Sequence, residues 1–408
     1  MAPSLDELVG RLKTSSDLSS QQVKIRYNES TSVTGSAGRK VNLRFPKIPG
    51  KFLSMSSLKL HFTLSTNTDS YFDCPVSSVI QRIRVLSSST VLMDISDYGT
   101  LQSYLQQGST NVNVQNAQSR KNEGIFSAAS EAQTFNGSSQ RVALSFPEGS
   151  LLNCSALLPL DRLSGFFQIE LFLQEPKKIL FSASADATAN YTMTDIQLHS
   201  EYISSPSLGS FFDVNGVSFH VDNFSHRFQE INSVKNVLRI PSAFTSLSKI
   251  MLVTRDQSKV DSTSTLSTAD RQQSTIAHTD LQEFQLYSQN MPFFSENILA
   301  DNVTTEVFRE TARAFPAIEH SSFQNDVTAS QTQLGSVPIG ISLAAAPTKF
   351  HEALVSGLAS KNHVSDLYAH ITWKSAGVTY ANYAATVFLV NDSRIYLDQN
   401  TGALAIDY

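Results

Sequence analysis

The chain has 408 residues, of which 41% are hydrophobic and only 16% charged, and its formal net charge is −5. This length can hold two domains with cores of their own. Because a protein that neutralises many phosphates is normally basic, the charge balance argues against direct, sequence-specific nucleic-acid binding.

A short amphipathic helix is predicted on an N-terminal arm, residues 1–22. Ser4 and Glu7 have the spacing of a capping box. One apolar stripe follows, formed by Leu5, Leu8, Val9 and Leu12. Two interpretations stay open: the helix docks on a partner or membrane face, or it packs on its own domain or frays.

From residue 23 the hydrophobic period changes to two, which is typical of strands with one buried face. We expect strands at 23–27, 41–45, 58–64, 142–144, 167–173 and 191–198. The polar stretch 106–140 is predicted to be a long exposed loop, and 204–209 a linker. Short strands between turn residues indicate an all-β sandwich or barrel.

One stretch, 79–108, predicts a strand, a turn, a second strand and a helix. Asp97 is a good N-cap, Tyr98, Leu101 and Leu105 share one helix face, and Gly108 is expected to end the helix.

The same series returns in the second half of the chain. Four segments have counterparts, in the same order and at nearly the same spacing: 48–56 with 240–248, 145–149 with 336–340, 164–165 with 356–357, and 194–198 with 386–390. Any one match could be chance, but four in order indicate a duplication.

The stretch 281–286 is the counterpart of 80–85, after a longer polar insertion, 256–280, that we expect to be a loop. A helix is predicted over 303–315. Its inner face holds Val303, Val307, Thr311 and Phe315, and its solvated outer face holds Glu306, Arg309, Glu310 and Arg313. Closing strands are expected at 367–373, 385–390, 395–397 and 403–406, with a turn at 400–402.

A repeat of about 190 residues is too long for a solenoid unit. It is long enough to bury its own core as two facing sheets, and eight antiparallel strands in a jelly roll are the common solution at this size. The fold class is therefore all-β, two tandem eight-stranded jelly rolls with short helices and an N-terminal amphipathic arm. The expected domains are residues 23–205 and 206–408, after the arm at 1–22.

No motif for catalysis, cofactor binding or metal binding was found. Glycine fingerprints for nucleotides and the Gly-x-Ser-x-Gly elbow are absent. His351 and Glu352 begin like a zinc-protease helix, but Val355 stands where the second ligand is needed. His220 and His226 suit strand and turn positions, and the two cysteines, Cys74 and Cys154, suit core positions. We therefore expect no enzyme and nominate no site residues or cofactors.

Four parts of the chain have the pattern of a known family: the N-terminal arm, the hairpin and helix at 79–105, their counterpart at 281–315, and the closing strands at 387–406. In these parts the chain resembles the double jelly-roll major capsid proteins of tailless icosahedral DNA viruses, the adenovirus and polinton-like lineage. The resemblance implies a virion protein that forms homotrimers of hexagonal outline. It also implies contacts with neighbouring trimers and with penton and minor capsid proteins, and contact of the N-terminal helix with an internal membrane.

Two alternatives remain. The first is a virion spike or lectin-like β-sandwich that binds glycans or a receptor, which aromatics grouped in loops would favour. Phe126, Phe135 and Phe323 are isolated in their loops. The second is a hydrolase on a paired jelly roll, which needs acids or histidines clustered at one barrel end, and the sequence shows no such cluster.

Overall fold

The computed structural model describes residues 18–36, 38–67, 71–72, 76–109, 139–182, 188–240, 244–256, 266–267, 281–288, 290–299, 305–314, 339–344, 357–359, 367–374 and 383–407. The strands of the first half are β1 (Ser19–Arg26), β2 (Ser32–Thr34), β3 (Lys40–Arg44), β4 (Phe52–Thr66), β5 (Tyr71–Phe72), β6 (Ile80–Ser87), β7 (Thr90–Ser96), β8 (Ser139–Ser145), β9 (Leu157–Leu158), β10 (Phe167–Leu173), β11 (Leu180–Ser182) and β12 (Tyr191–Ser204).

The strands of the second half are β13 (Ser218–Ile231), β14 (Lys235–Arg239), β15 (Leu247–Asp256), β16 (Leu266–Ser267), β17 (Leu281–Ser288), β18 (Met291–Pro292), β19 (Ile298–Leu299), β20 (Ile339–Ser342), β21 (Leu367–Trp373), β22 (Tyr383–Asp398) and β23 (Ala403–Asp407). The α-helices of the described part are α1 (Tyr98–Ser109), α2 (Pro206–Asn215) and α3 (Thr305–Ala314), and short 3₁₀ turns occur at Val76–Val79, Leu151–Asn153, Leu160–Arg162 and Pro176–Lys178.

The first half folds as two facing sheets. Sheet A has the order β1-β12-β4-β8, with β2 and β9 as additions, and sheet B has the order β3-β10-β6-β7. In sheet A, Leu60 lies opposite both Leu198 and Leu144. These leucines pack with Ile83 and Leu171 of sheet B in one core. Because both sheets alternate apolar and polar side chains, each buries one face.

The second half repeats this order. Sheet D runs β13-β22-β15-β20, with β23 beside β22, and sheet E runs β14-β21-β17-β18, with β19 beside β17. Leu252 lies opposite Val387 and Ile339, as Leu60 does opposite its own two neighbours. All four positions of each sheet are filled by the corresponding strands, so the predicted tandem of eight-stranded jelly rolls is confirmed.

The hairpin and helix at 79–108 form as predicted, with one difference. Strands β6 and β7 pair with Ile83 opposite Ile95, and Tyr98 and Leu101 of α1 are buried. Asp97 precedes α1, and its carbonyl accepts the first helical hydrogen bond, from the Leu101 N–H, at 3.1 Å. The helix continues through Gly108 to Ser109, so the predicted end was wrong. Glycine permits a left-handed helix end but does not force one.

The predicted linker at 204–209 was also wrong, since α2 begins there. Ser205 is its N-cap and accepts a hydrogen bond from the Ser207 N–H at 3.3 Å, with Pro206 at the first helical position. A serine followed by proline is a helix-start signal. Five strand predictions were too short. β1 begins at Ser19, and β22 is one continuous strand rather than two. The strands predicted at 58–64, 142–144 and 191–198 extend over Phe52–Thr66, Ser139–Ser145 and Tyr191–Ser204.

Helix α3 occupies the centre of the predicted 303–315 segment. Val307 and Thr311 face inward as expected, and the Thr311 hydroxyl accepts the Gly340 N–H at 3.1 Å. Glu310 is buried although it was assigned to the solvated face. Its carboxylate accepts hydrogen bonds from Arg313 at 3.0 Å, and that charge pairing allows burial at the helix edge.

Several predictions lie outside the described residues: the helical part of the arm, Cys74, residues 110–138 of the long loop, the segment from His351 to Val355, and residues 303 and 315. In the insertion at 256–280, two residues form β16, which pairs parallel with β11 of the first half. The prediction of an unbroken loop was therefore wrong at that point.

Because the two halves repeat one fold, we expect substitutions at corresponding core positions to destabilise the protein to a similar extent. Leu60→Ala and Leu252→Ala each remove a buried leucine at corresponding positions and are expected to lower the free energy of unfolding by about 2–5 kcal/mol. Urea denaturation followed by circular dichroism measures this. Leu299→Ala, at a side chain 43% exposed, is the control. Equal effects of the three substitutions would contradict the assignment of these two cores.

Candidate assembly surfaces

Sheet D is buried on both faces. On β15, Ile250 and Leu252 point into the core of the second jelly roll, whereas Met251 and Val253 join the apolar cluster of the first. On β22, Phe388 joins that same first cluster. Sheet D is therefore shared by both jelly rolls, which explains why the first half of β22, residues 383–390, is apolar at nearly every position rather than at alternate ones.

Strand β7 of sheet B lies against β13 and β23 of the second half. Arg255, at the end of β15, is buried in this contact. Its guanidinium forms an ion pair with Asp97 at 2.7 Å and donates hydrogen bonds to the hydroxyls of Thr100 at 3.0 Å and Thr386 at 3.2 Å. Asp97 also accepts a hydrogen bond from Thr100 at 2.8 Å. One buried cation thus joins the start of α1 to sheet D.

A second polar contact links β13 to the loop after β8. The Asp222 N–H donates to the Gly149 carbonyl at 2.8 Å. Gly149 has φ +81°, and a side chain there would bring its Cβ within 2.7 Å of the Asp222 carboxylate. Burial raises the pKa of Asp222 to about 6, with Lys249 opposing this and Asp392 reinforcing it. The contact therefore needs glycine at 149 and holds a carboxyl that titrates close to neutral pH.

The outer face of sheet A is basic. Lys24 lies directly opposite His199, which in turn lies opposite Lys59. The His61 and His199 rings stack with their centroids 3.8 Å apart. Arg26 is exposed on β1. This basic face, defined by Lys24, Arg26, Lys59, His61, Arg141 and His199, contains one ion pair in which Arg141 contacts Asp195.

Both histidines of the basic face favour the neutral form. Burial lowers the pKa of His61 to about 4, helped by the nearby charges of His199, Arg141, Lys59 and Lys24. The pKa of His199 is lowered as well, first by burial and then by Lys24 and Arg141. At neutral pH the stack is therefore uncharged between fixed cations.

The large exposed hydrophobic side chains of the described residues all lie in the second half. Met291 is 70% exposed, Phe293 40% and Leu299 43%. All three belong to the segment 291–299, which contains β18 and β19 and is here called the outer edge. Exposed apolar side chains grouped on one strand edge are typical of an interaction surface.

An aromatic patch lies on the outer face of sheet E. The rings of Tyr287 and Tyr368 stack at 5.1 Å with 11° between their planes, and His370 lies 4.7 Å from Tyr287. The Tyr368 hydroxyl donates to Asn290 at 2.9 Å. A shallow cavity of about 430 Å³ lies beside it, lined by Val237, Arg239, Tyr368 and His370.

The singled-out sequence positions show no shared chemistry. His220 and His226 are both on β13, and burial lowers the pKa of each. Among the described residues, no group of three His, Cys, Asp or Glu side chains could hold a metal ion. Cys154 is a free, half-buried thiol whose pKa is raised to about 12 by burial. In the same part of the chain, no helix has the length and apolarity to cross a membrane.

Arg255 was not predicted as a contact residue from the sequence, in which it directly precedes the polar stretch 256–280. A signal was present, because Met251, Val253 and Arg255 alternate on one face of a strand whose other face is also apolar. A charge on the apolar outer face of a strand indicates a buried partner.

No protein-family model matches the chain, and no curated protein matches it in sequence. Solved structures do match. A quasi-atomic model of the PBCV-1 virus capsid has a TM-score of 0.65 at 9% identity, with 96% of this chain and 97% of that chain covered.

Two further matches are of the same kind. The Faustovirus major capsid protein has a TM-score of 0.56 at 9% identity, covering 97% of this chain and 94% of its own. The cryo-EM structure of the Sputnik virophage has a TM-score of 0.57 at 10% identity, with 95% of this chain and 88% of that chain covered.

Replacing Arg255 with Met leaves the Asp97 carboxylate partly buried without its cation. We expect a loss of about 3 kcal/mol in the free energy of unfolding, because removing one partner of a buried ion pair leaves the other charge buried and unpaired. Arg141→Met, which removes the exposed ion pair with Asp195, should cost less than about 1 kcal/mol. Urea unfolding of both variants measures the difference, and equal costs would show that Arg255 does not join the two halves.

The histidine stack predicts a pH dependence of stability. The unfolded chain binds a proton at His61 near pH 6.5 and the folded chain only near pH 4, so stability falls as the pH drops through this window. In His61→Gln that contribution is absent, and the decline should be shallower. Urea midpoints between about pH 7 and pH 4 test this. Identical slopes in both proteins would contradict the lowered pKa.

The chain therefore has the double jelly-roll fold of these viral capsid structures, matched over nearly its whole length.

Proposed function

We propose that this protein is a major capsid subunit that self-assembles as pseudo-hexagonal trimers to build an icosahedral virion shell. The observation that carries the proposal is the repeated strand order of sheets A and B in sheets D and E, within one chain. Two similar units in one chain become six similar units when three chains close a ring. Such a ring has a hexagonal outline and can tile a shell.

The fold comparison supports the same role, because the matched structures are a viral capsid and a major capsid protein. We propose residues 23–205 and 206–408 as the two domains. Residues 1–22 would be an arm, of which 19–22 already pair with β12. The protein would reside in the virion and contact penton and minor capsid proteins, with its N-terminal helix facing an internal membrane. Its role would be structural rather than enzymatic.

A second candidate function is glycan or receptor binding by a β-sandwich spike. The aromatic patch of Tyr287, Tyr368 and His370 favours it, because sugar rings stack on exposed aromatic faces. In the cavity beside it, Arg239 and His370 can form hydrogen bonds with a bound ligand. Glycan-array binding that is lost in Tyr368→Ala, with the oligomer unchanged, would support this candidate.

Native mass spectrometry of the purified protein separates the two functions. The capsid proposal predicts a species of three times the 44.8 kDa chain mass, with hexagonal particles in negative-stain images. A stable monomer with glycan affinity would contradict the capsid proposal and support the spike.

A further inference from the structure

The two jelly rolls of one chain do not have the same surroundings. In the first, strand β7 is covered by β13 and β23 of the second. The counterpart of β7 in the second jelly roll is the outer edge. Ile298 of β19 lies opposite Phe284, as Ile95 of β7 lies opposite Ile83. No element of the described chain covers the outer edge in the way that β13 covers β7.

Sheets D and A, which are counterparts in the two jelly rolls, also differ in how far they are covered. On sheet D, Met251 and Val253 of β15 belong to the apolar cluster of the first jelly roll. The corresponding positions on β4 of sheet A are Lys59 and His61, which belong to the basic face. Strand β1 is exposed along most of its length, whereas its counterpart β13 is buried at Val221 and other positions. The first jelly roll therefore has an uncovered copy of the surface that the second uses for the internal contact.

We propose that the outer edge of one copy docks on β1 and the basic face of the next copy, repeating between chains the contact seen between β7 and sheet D. This inference rests on the proposed trimer and names the surfaces that close it. A joint between two different surfaces is heterologous, and it forms a closed ring when each joint turns by one third of a revolution.

Charge and polarity favour a second copy as the occupant. The basic face presents Lys24, Arg26 and Lys59, and the outer edge carries the exposed Glu296 beside the exposed Glu306 of α3. The Glu306 carboxylate accepts the Leu299 N–H at 3.0 Å, which fixes this acid next to the edge. Met291 and Leu299 supply apolar area that the aliphatic stems of the lysines can cover.

Two variants test the two sides of this joint. Met291→Lys with Leu299→Lys places cations on the outer edge, opposite the basic face. Lys24→Glu with Arg26→Glu places acids on the basic face, opposite Glu296. Each pair of changes sets like charges against each other and should weaken trimer formation at least about tenfold. Native mass spectrometry reads the oligomer. Circular dichroism verifies that the variants fold, as expected for exposed positions.

Mixing the two variants tests the pairing itself. The altered edge of the first variant and the altered face of the second have opposite charges, and the remaining edge and face are native. The mixture should therefore yield complexes that contain both variants, beginning with a one-to-one dimer. If the mixture stays monomeric, the proposed pairing of edge with face is wrong.

Val237→Lys and Lys235→Glu are the matched controls, because both side chains are exposed on β14, away from the joint. Both controls should remain trimeric. A wild-type monomer would overturn the proposed trimer itself. A wild-type trimer that persists in both joint variants would overturn only this docking, and these surfaces would then belong to contacts between trimers or with minor proteins.

Discussion

The burial of sheet D on both faces is the constraint on which the rest of the structure depends. Its inner side chains complete the second jelly roll, and Met251, Val253 and Phe388 complete the surface of the first. The two units therefore cannot turn independently without exposing apolar area to water, at a cost of roughly 25 cal/mol per Å². The ion pair between Arg255 and Asp97 adds a directional contact at the edge of sheet D.

A fixed angle between two similar units is what a ring-forming subunit needs. If the internal contact already sets the rotation from one jelly roll to the next, a similar contact between chains repeats that rotation. In the proposed trimer, the exposed outer edge and the exposed basic face are two halves of one joint. The proposed contact between chains differs in chemistry from the internal one, because Lys59 and His61 occupy the positions that correspond to Met251 and Val253. Polar joints suit subunits that must fold alone before they assemble.

Much of this architecture could be predicted from the sequence. Alternation at 41–45 and 58–64 gave the strands, and the ordered matches between the halves gave the duplication, since a two-residue period reports a half-buried strand directly. Errors occurred where a local signal had two meanings. Ser205 and Pro206 begin a helix, although Ser, Pro and Gly also mark linkers. β22 continues past the polar residues Asn391–Arg394, because its pairing with β13 persists there.

The surfaces proposed for assembly were harder to predict, because they depend on which residues contact each other across the fold. The alternation of β15 does not reveal that its outer residues meet the other jelly roll, and the exposure of Met291 follows only from the final packing. Likewise, no spacing in the sequence brings His61 of β4 and His199 of β12 into a stack. Such contacts join residues far apart in the chain.

Cryo-EM of the solution oligomer tests the central claim most directly. The account predicts a three-chain ring of six similar lobes, in which the joint inside each chain superposes on the joint between chains and buries the outer edge of 291–299 against β1. A ring or dimer joined through the outer face of sheet E, or a monomer with a solvent-exposed outer edge, would contradict it.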